Sequence, residues 1–231
     1  MSPGGYVPAI VAEALVMKNA LIFWGGWEGH EPGPCADLFA ARLQERGFAV
    51  TVRDSLAALD DPADLAGLSL IVPIWTMGTI EKQQAGNLVA AIRGGVGLAG
   101  FHGGMGDSFR GDIGYQWMVG GQFMEHPDGV KEYRVHVVRP DDPIMAGIAD
   151  FNVRSEQYYM LVDPGNEVLA TTTHRSVSAP WTNGVVMPCV WKKRHGEGRV
   201  FYSALGHEAH EFTDVPEQLE LTLRGMCWAA R

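Results

Sequence analysis

The chain has 231 residues and a formal net charge of −9, with 46% apolar and 19% charged residues. That length accommodates one large domain with a substantial core, and the composition is that of a folded globular chain rather than a disordered one. The acidic balance, with Lys192-Lys193-Arg194-His195 as the longest basic run, excludes a general phosphate-backbone binder. No apolar stretch approaches the roughly 20 residues that cross a bilayer. Neither nucleic acid nor a membrane is therefore an expected partner, and without a basic segment leading into a cleavable apolar core the expected location is cytoplasmic. The three cysteines, Cys35, Cys189 and Cys227, are far apart and show no Cys-x-x-Cys spacing, which argues against a disulfide framework or a thiolate zinc site.

Residues 1–16 carry early Pro and Gly and then a weak helical pattern, and Met17-Lys18 stands directly before a strand in the manner of a natural start. Residues 1–16 are accordingly expected to be a mobile extension or a mis-called start, with one α/β domain over residues 17–231. Residues 19–24 form a short apolar run ending in Gly25-Gly26, as suits a parallel strand buried on both faces. Residues 34–46 place Leu38, Phe39 and Leu43 at helical spacing, with Pro near the start and Gly47 past the end. A strand is predicted over 49–53 and another over 68–75; a helix over 81–93 closes on Gly94-Gly95. The next strand, within 98–105, breaks at His102 into Gly103-Gly104.

Strands alternating with helices at this spacing predict a doubly wound, mostly parallel sheet with helices on both faces. Right-handed crossovers place the strand ends carrying Trp24, Trp75 and His102 on one edge. The second half reads differently. Residues 133–139 alternate apolar and polar like an antiparallel strand, 168–173 form a short β run, and 185–191 with 200–205 resemble a hairpin across 195–198. An antiparallel extension of the sheet follows, and residues 216–230 return to helical spacing through Leu219, Leu223 and Met226.

Ligands of open α/β sheets bind outside the carboxyl ends of the strands. His102 stands at such an end, where a nucleophile elbow would carry Ser or Cys. Imidazole can exchange a proton near neutrality or serve as a neutral metal ligand. His30 lies in the loop after the first strand, where side chains more often contact ligands than pack. Trp24 and Trp27 fall where an indole face could stack on a sugar ring. With no Walker Gly-Lys-Ser/Thr and no Gly-x-Gly-x-x-Gly after the first strand, Gly103 and Gly104 point to close backbone approach to a neutral polyol rather than to a nucleotide. His207-Glu208-Ala209-His210 is one residue short of the metalloprotease His-Glu-x-x-His and follows a strand, so that pattern fails in spacing and context.

Several segments taken together resemble the ThuA-like trehalose-utilisation family, whose fold is that of class I glutamine amidotransferase domains and is flavodoxin-like in class. They are residues 21–30, Gly94 to His102, Gly120-Gly121-Gln122-Phe123 with His126-Pro127, Asp142-Pro143-Ile144, Glu156 with Tyr158, Trp191, residues 196–202 and Leu205-Gly206-His207. The resemblance implies a role in carbohydrate utilisation, on trehalose-related or oxidised (keto) sugars. The amidotransferases place Cys on the elbow and end on His-x-Glu, whereas this chain has His102 and His207-Glu208-Ala209-His210, so thioester glutamine hydrolysis is expected to be absent.

The fold resemblance also sets His207 near His102 and lends functional weight to Glu156, Tyr158 and His126. The resulting expectation is His/Glu acid-base chemistry, as in an isomerase, epimerase or hydrolase. His102, His207 and Glu156 are its catalytic residues, and Trp24, Trp27, His30, Gly103, Gly104, His126 and Tyr158 contact the sugar. Two alternatives stand beside it: a metal-dependent hydrolase in which His30, His102 and His207 hold a divalent ion such as Zn, and a non-catalytic sugar-binding protein. A homo-oligomer is a further expectation, drawn from the aromatic content.

Overall fold

A computed structural model describes residues 17–231, and the expectation placed on residues 1–16 lies outside the described residues. The first apolar run forms β1 (Lys18–Gly26), whose Leu21, Ile22 and Phe23 are buried. Helix α1 (Pro32–Glu45) starts two residues earlier than its spacing indicates, with Pro in its first turn, and β2 (Phe48–Arg53) follows. A short helix α2 (Pro62–Ala66), capped by the Asp61 side chain accepting from the Ala63 amide at 2.8 Å, leads into β3 (Leu70–Thr76). Helix α3 (Lys82–Arg93) opens on a reciprocal Glu81/Gln84 capping box, which satisfies two amide donors that the helix start leaves free. Then come β4 (Gly97–Phe101), α4 (His102–Gly106) and α5 (Ile113–Val119).

The second half holds β5 (Gly121–Glu125), β6 (Val130–Val137), β7 (Phe151–Glu156), β8 (Tyr159–Val162), β9 (Glu167–Thr173), β10 (Val186–His195) and β11 (Gly198–Ser203), then α6 (Ala209–Asp214) and α7 (Pro216–Ala229). Nine strands make one sheet in the order β2-β1-β3-β4-β11-β10-β9-β6-β7, and β5 pairs with β8 separately. The five strands from β2 to β11 are parallel, and every pairing from β11 to β7 is antiparallel. The expected antiparallel extension is thus nearly as large as the parallel part and continuous with it.

Adjacent strand residues show that helices cover both faces of the sheet. Phe201 of β11 lies against Gly225 of α7, where a Cβ would come within 2.4 Å, while Tyr202 points the other way onto Gly106 of α4. Phe39, Phe101 and Phe212, from α1, β4 and α6, form an aromatic trio with centroids 4.7 to 4.9 Å apart, buried under the strand ends. On the opposite side Trp191, fully buried, leans on Tyr202 and donates from its indole nitrogen to the Val119 carbonyl at 3.0 Å.

Strand direction decides where the chemistry meets. Starting from β11, four successive antiparallel pairings return β7 to the direction of the parallel strands, so Glu156 at its end shares their carboxyl edge. Five strand spacings of about 4.8 Å separate β4 from β7 in a flat sheet. Contact between Glu156 and His102, which directly follows β4, therefore requires the antiparallel half to curl back over the parallel half.

Candidate active site

His102 is the first residue of α4 and has φ +45°, a left-handed backbone that only glycine adopts without strain. Among the described residues, three of the four other non-glycine residues with positive φ also flank this edge: Glu31 beside His30, Met77 beside Thr76, and Asp128 two residues past His126. Backbone strain of this kind, held by the surrounding fold, collects at functional sites. Here it turns the chain sharply at the ends of β3 and β4 and in the loops after β1 and β5.

The side chains converge on one carboxylate oxygen. Oε2 of Glu156 lies 3.2 Å from His102 Nε2, 3.4 Å from His207 Nδ1 and 3.6 Å from His30 Nε2. Its other oxygen faces His126 Nε2 at 3.5 Å. The imidazoles of His30, His102 and His207 have centroids 4.7 to 5.5 Å apart. His30, His102, Glu156 and His207 are all buried; His126, with its side chain 34% exposed, and Trp27, 46% exposed, form the outer edge. A groove of about 760 Å³ lies away from this centre, beside β2, lined by residues including Thr51, Arg53, Ser55 and Asp60.

Each imidazole is oriented from behind. His102 Nδ1 donates to the Ala204 carbonyl at 2.9 Å; a carbonyl only accepts, so the proton resides on Nδ1 and the Nε2 lone pair faces Glu156. His30 Nδ1 pairs with the Thr76 hydroxyl at 2.8 Å. The His207 amide donates to Glu211 at 3.0 Å, and Gly206, at φ +98°, lets the chain turn against Phe212. Glu31 accepts from the Ala209 amide at 3.0 Å, tying the loop after β1 to the loop after β11.

Burial lowers the His102 imidazole to about 4, because the desolvation outweighs the hydrogen bond to Glu156 that favours its charged form. His207 is lowered for the same first reason. Burial acts to raise the Glu156 carboxyl, but its contacts with the His102 and His30 side chains and its attraction to the surrounding imidazoles hold it well below the usual carboxylate range. Near pH 7 the centre therefore holds an ionised Glu156 carboxylate beside neutral His102 and His207 imidazoles. Glu211 is pushed up to about 6, again mainly by burial.

Of the residues expected at the site, His30, His102, Glu156 and His207 meet directly, and His126 joins them from the rim. Tyr158 stacks on His102 with centroids 3.9 Å apart, and Trp27 stands edge-on to His30 at 4.7 Å. Trp24 is elsewhere: half-buried, it packs against the core with its ring over Gly33 in the first turn of α1. Gly103 and Gly104 need correction. Both are buried, and a Cβ on Gly103 would meet His30 at 2.3 Å, while one on Gly104 would meet the Ile74 backbone at 3.1 Å. The close approach that these glycines permit in the folded chain is to the protein's own β3 and His30. His210 is 60% exposed on its side chain and pairs with Glu208 outside the cluster.

Thr76, the Ala204 carbonyl, Glu211 and Glu31 were not legible as site residues. Thr76 alone left a trace, as the polar residue closing an otherwise apolar strand next to Trp75. Cys35, just after the first strand, is buried, and its thiol is pushed up to about 12 by burial with Glu31 and Glu211 nearby, so it is a packing residue.

Fold and site together define an α/β protein with a histidine and glutamate centre at the carboxyl edge of its strands. Residues 19–229 match the family model described as ThuA, trehalose utilisation, and the chain belongs to that family. Among solved structures it is similar to a ThuA-like protein from Bacteroides uniformis (19% identity over 96% of this chain and 94% of that one, TM-score 0.74). It is also similar to one from Parabacteroides merdae (18% identity, 92% and 89%, TM-score 0.68). A beta-galactosidase from Rahnella sp. R3 shares the fold over 31% of its own length (20% identity, 89% of this chain, TM-score 0.56). No curated protein matches the chain. Among the described residues no helix is long and apolar enough to cross a membrane.

Proposed function

We propose that this protein is an enzyme of carbohydrate utilisation that takes one oxygen-bearing end of a trehalose-related disaccharide, or of its keto derivative, at the centre formed by His30, His102, Glu156 and His207. The observation that carries the reading is the convergence of these four side chains, from separate segments, on one carboxylate oxygen at the carboxyl edge of the strands. An ionised, buried carboxylate is a strong acceptor for a sugar hydroxyl. His207 and His102, neutral and beside it, are proton acceptors within reach of the same group, and His126 relays to the rim. Trp27 offers the exposed aromatic face on which the apolar side of a sugar ring stacks. Proton movement at a hydroxyl, or at the carbon next to a carbonyl, serves isomerisation, epimerisation or cleavage.

The test is incubation of untagged protein with trehalose and keto-disaccharides in deuterated water, with products followed by mass spectrometry. Conversion, or deuterium incorporation beside a carbonyl, is expected for the parent, and both fall at least about a hundredfold in His102→Asn and Glu156→Gln. Turnover equal to the parent in either variant removes that side chain from the chemistry. Binding without any conversion would favour a sugar-binding protein instead.

A further inference from the structure

Nε2 of His30, Nε2 of His102 and Nδ1 of His207 surround Oε2 of Glu156 at 3.6, 3.2 and 3.4 Å. Because the His102 proton is held on Nδ1 by the Ala204 carbonyl, Nε2 of the neutral ring directs a lone pair at Oε2 across 3.2 Å in a buried setting, which is repulsive, and His207 Nδ1 is a buried atom without a hydrogen-bond partner. One cation at the common point would satisfy all four atoms at once.

We propose that this centre binds one divalent first-row transition ion, with Nε2 of His30, Nε2 of His102, Nδ1 of His207 and Oε2 of Glu156 as its ligands. The spacing fits. Nitrogen and oxygen ligands at about 2.0–2.1 Å from zinc in a tetrahedral arrangement stand about 3.3–3.4 Å from each other, and the three nitrogen-to-oxygen separations bracket that value. One ligand atom can be taken from each of the four residues such that all lie within 4.8 Å of one another. The supporting contacts are those that metal-binding histidines carry: the far nitrogen of His102 donates to a backbone carbonyl, and that of His30 is fixed by a threonine hydroxyl.

A donor set of three imidazoles and a carboxylate, with no thiolate, suits zinc, cobalt, nickel, iron or manganese. It does not suit copper(I), and it is too rich in nitrogen for calcium or magnesium. This inference deepens the carbohydrate reading and, for what the ion does, rests on it: an ion held by these four residues would supply Lewis-acid polarisation of a sugar hydroxyl or carbonyl oxygen if it took that oxygen as a further ligand. The site itself stands on geometry alone.

The untagged full chain, stripped with a chelator and dialysed, is titrated with Zn²⁺ and separately with Co²⁺ by calorimetry, and bound metal is measured by elemental mass spectrometry. One ion per chain is expected, with the visible spectrum of protein-bound cobalt and a rise in melting temperature on loading. His207→Ala and Glu156→Gln should each weaken binding at least about tenfold. His210→Ala, outside the cluster, should bind like the parent. Failure of the stripped parent to take up either ion, or undiminished binding in the His207→Ala/Glu156→Gln double variant, overturns the site. If a ligand variant does not fold, the cobalt spectrum of the parent decides: a protein-bound spectrum supports the site and that of free aqueous cobalt overturns it. Ion uptake without turnover of any disaccharide would sink the carbohydrate reading and leave the ion site standing, whereas sugar turnover by a protein that binds no ion does the reverse.

Discussion

The corner at His102 can be tested by comparing two substitutions that remove the same side chain. His102→Ala and His102→Gly both delete the hydrogen bond to the Ala204 carbonyl and the contact with Glu156, and both lose the stacking on Tyr158. Those losses cancel in the difference between the variants. What remains is the backbone, held at φ +45° at this position. A left-handed conformation costs an L-residue roughly 1–2 kcal/mol that glycine does not incur. The greater freedom of glycine in the unfolded chain returns about 0.5–1 kcal/mol of that advantage. His102→Gly should therefore be more stable than His102→Ala by about 1 kcal/mol, reversing the usual order for a helical position. For a chain of this size that corresponds to about 2–4 °C in melting temperature. Urea titration, with a check that the slope is the same in both variants, and calorimetry measure it directly. Equal stability, or an alanine variant more stable than the glycine one, would show that the strained corner is not present in solution.

Gly206→Ala should cost on the order of 2–3 kcal/mol and displace His207, because the new Cβ would stand 2.1 Å from Phe212 Cζ at φ +98° and the buried aromatic trio cannot give way; a parent-like thermal melt would contradict this. Trp27→Ala should raise KM for the sugar while the melting temperature stays within a few degrees of the parent, since the ring is 46% exposed, and an unchanged KM would remove Trp27 from binding. In metal-free protein, stability should fall as the pH is lowered from about 6.5 to about 4. His102 is lowered to about 4, and His174 and His195 are lowered as well, each chiefly by burial, so the unfolded chain takes up protons near 6.5 that the folded one refuses. The His102 share is on the order of 3 kcal/mol, fully present above about 6.5 and lost by about 4. A denaturant midpoint that stays constant across that range would refute the assignment.

The central parallel strands β1, β3 and β4 were open to reading because they are largely buried and appear as mainly apolar runs, whereas the edge strand β2 is mostly half-buried or exposed. Residues 19–24 and 98–101 needed no knowledge of their neighbours. The antiparallel half was harder. In β7 the buried residues Phe151, Val153 and Ser155 do alternate with exposed Asn152 and Arg154, but over six residues that include a buried Ser and Glu the pattern is too short to separate from a loop. β5 and β8 pair only with each other and have few buried positions, so their sequences carry little periodic signal.

The site divides along the same line, between what a residue's own position specifies and what depends on distant partners. His30 and His102 were legible because a titratable side chain directly after a buried strand lies, by topology alone, on the edge where ligands bind. Glu156 could not be placed that way. Its strand sits at the far end of the sheet, and only the curling of four antiparallel strands brings it to 3.2 Å from His102. The orienting groups depend on separations of 46 residues for Thr76 and His30 and 102 for Ala204 and His102, and a backbone carbonyl has no side chain to announce it. Gly103 and Gly104 show the limit most clearly. A glycine records that something approaches the backbone closely, and nothing in the residue distinguishes a sugar from His30 or from β3. The same closeness is what holds the imidazoles in place: with α4 seated directly on β3, His30 can approach His102 to a centroid distance of 4.7 Å, and the centre that Glu156 completes becomes geometrically compact.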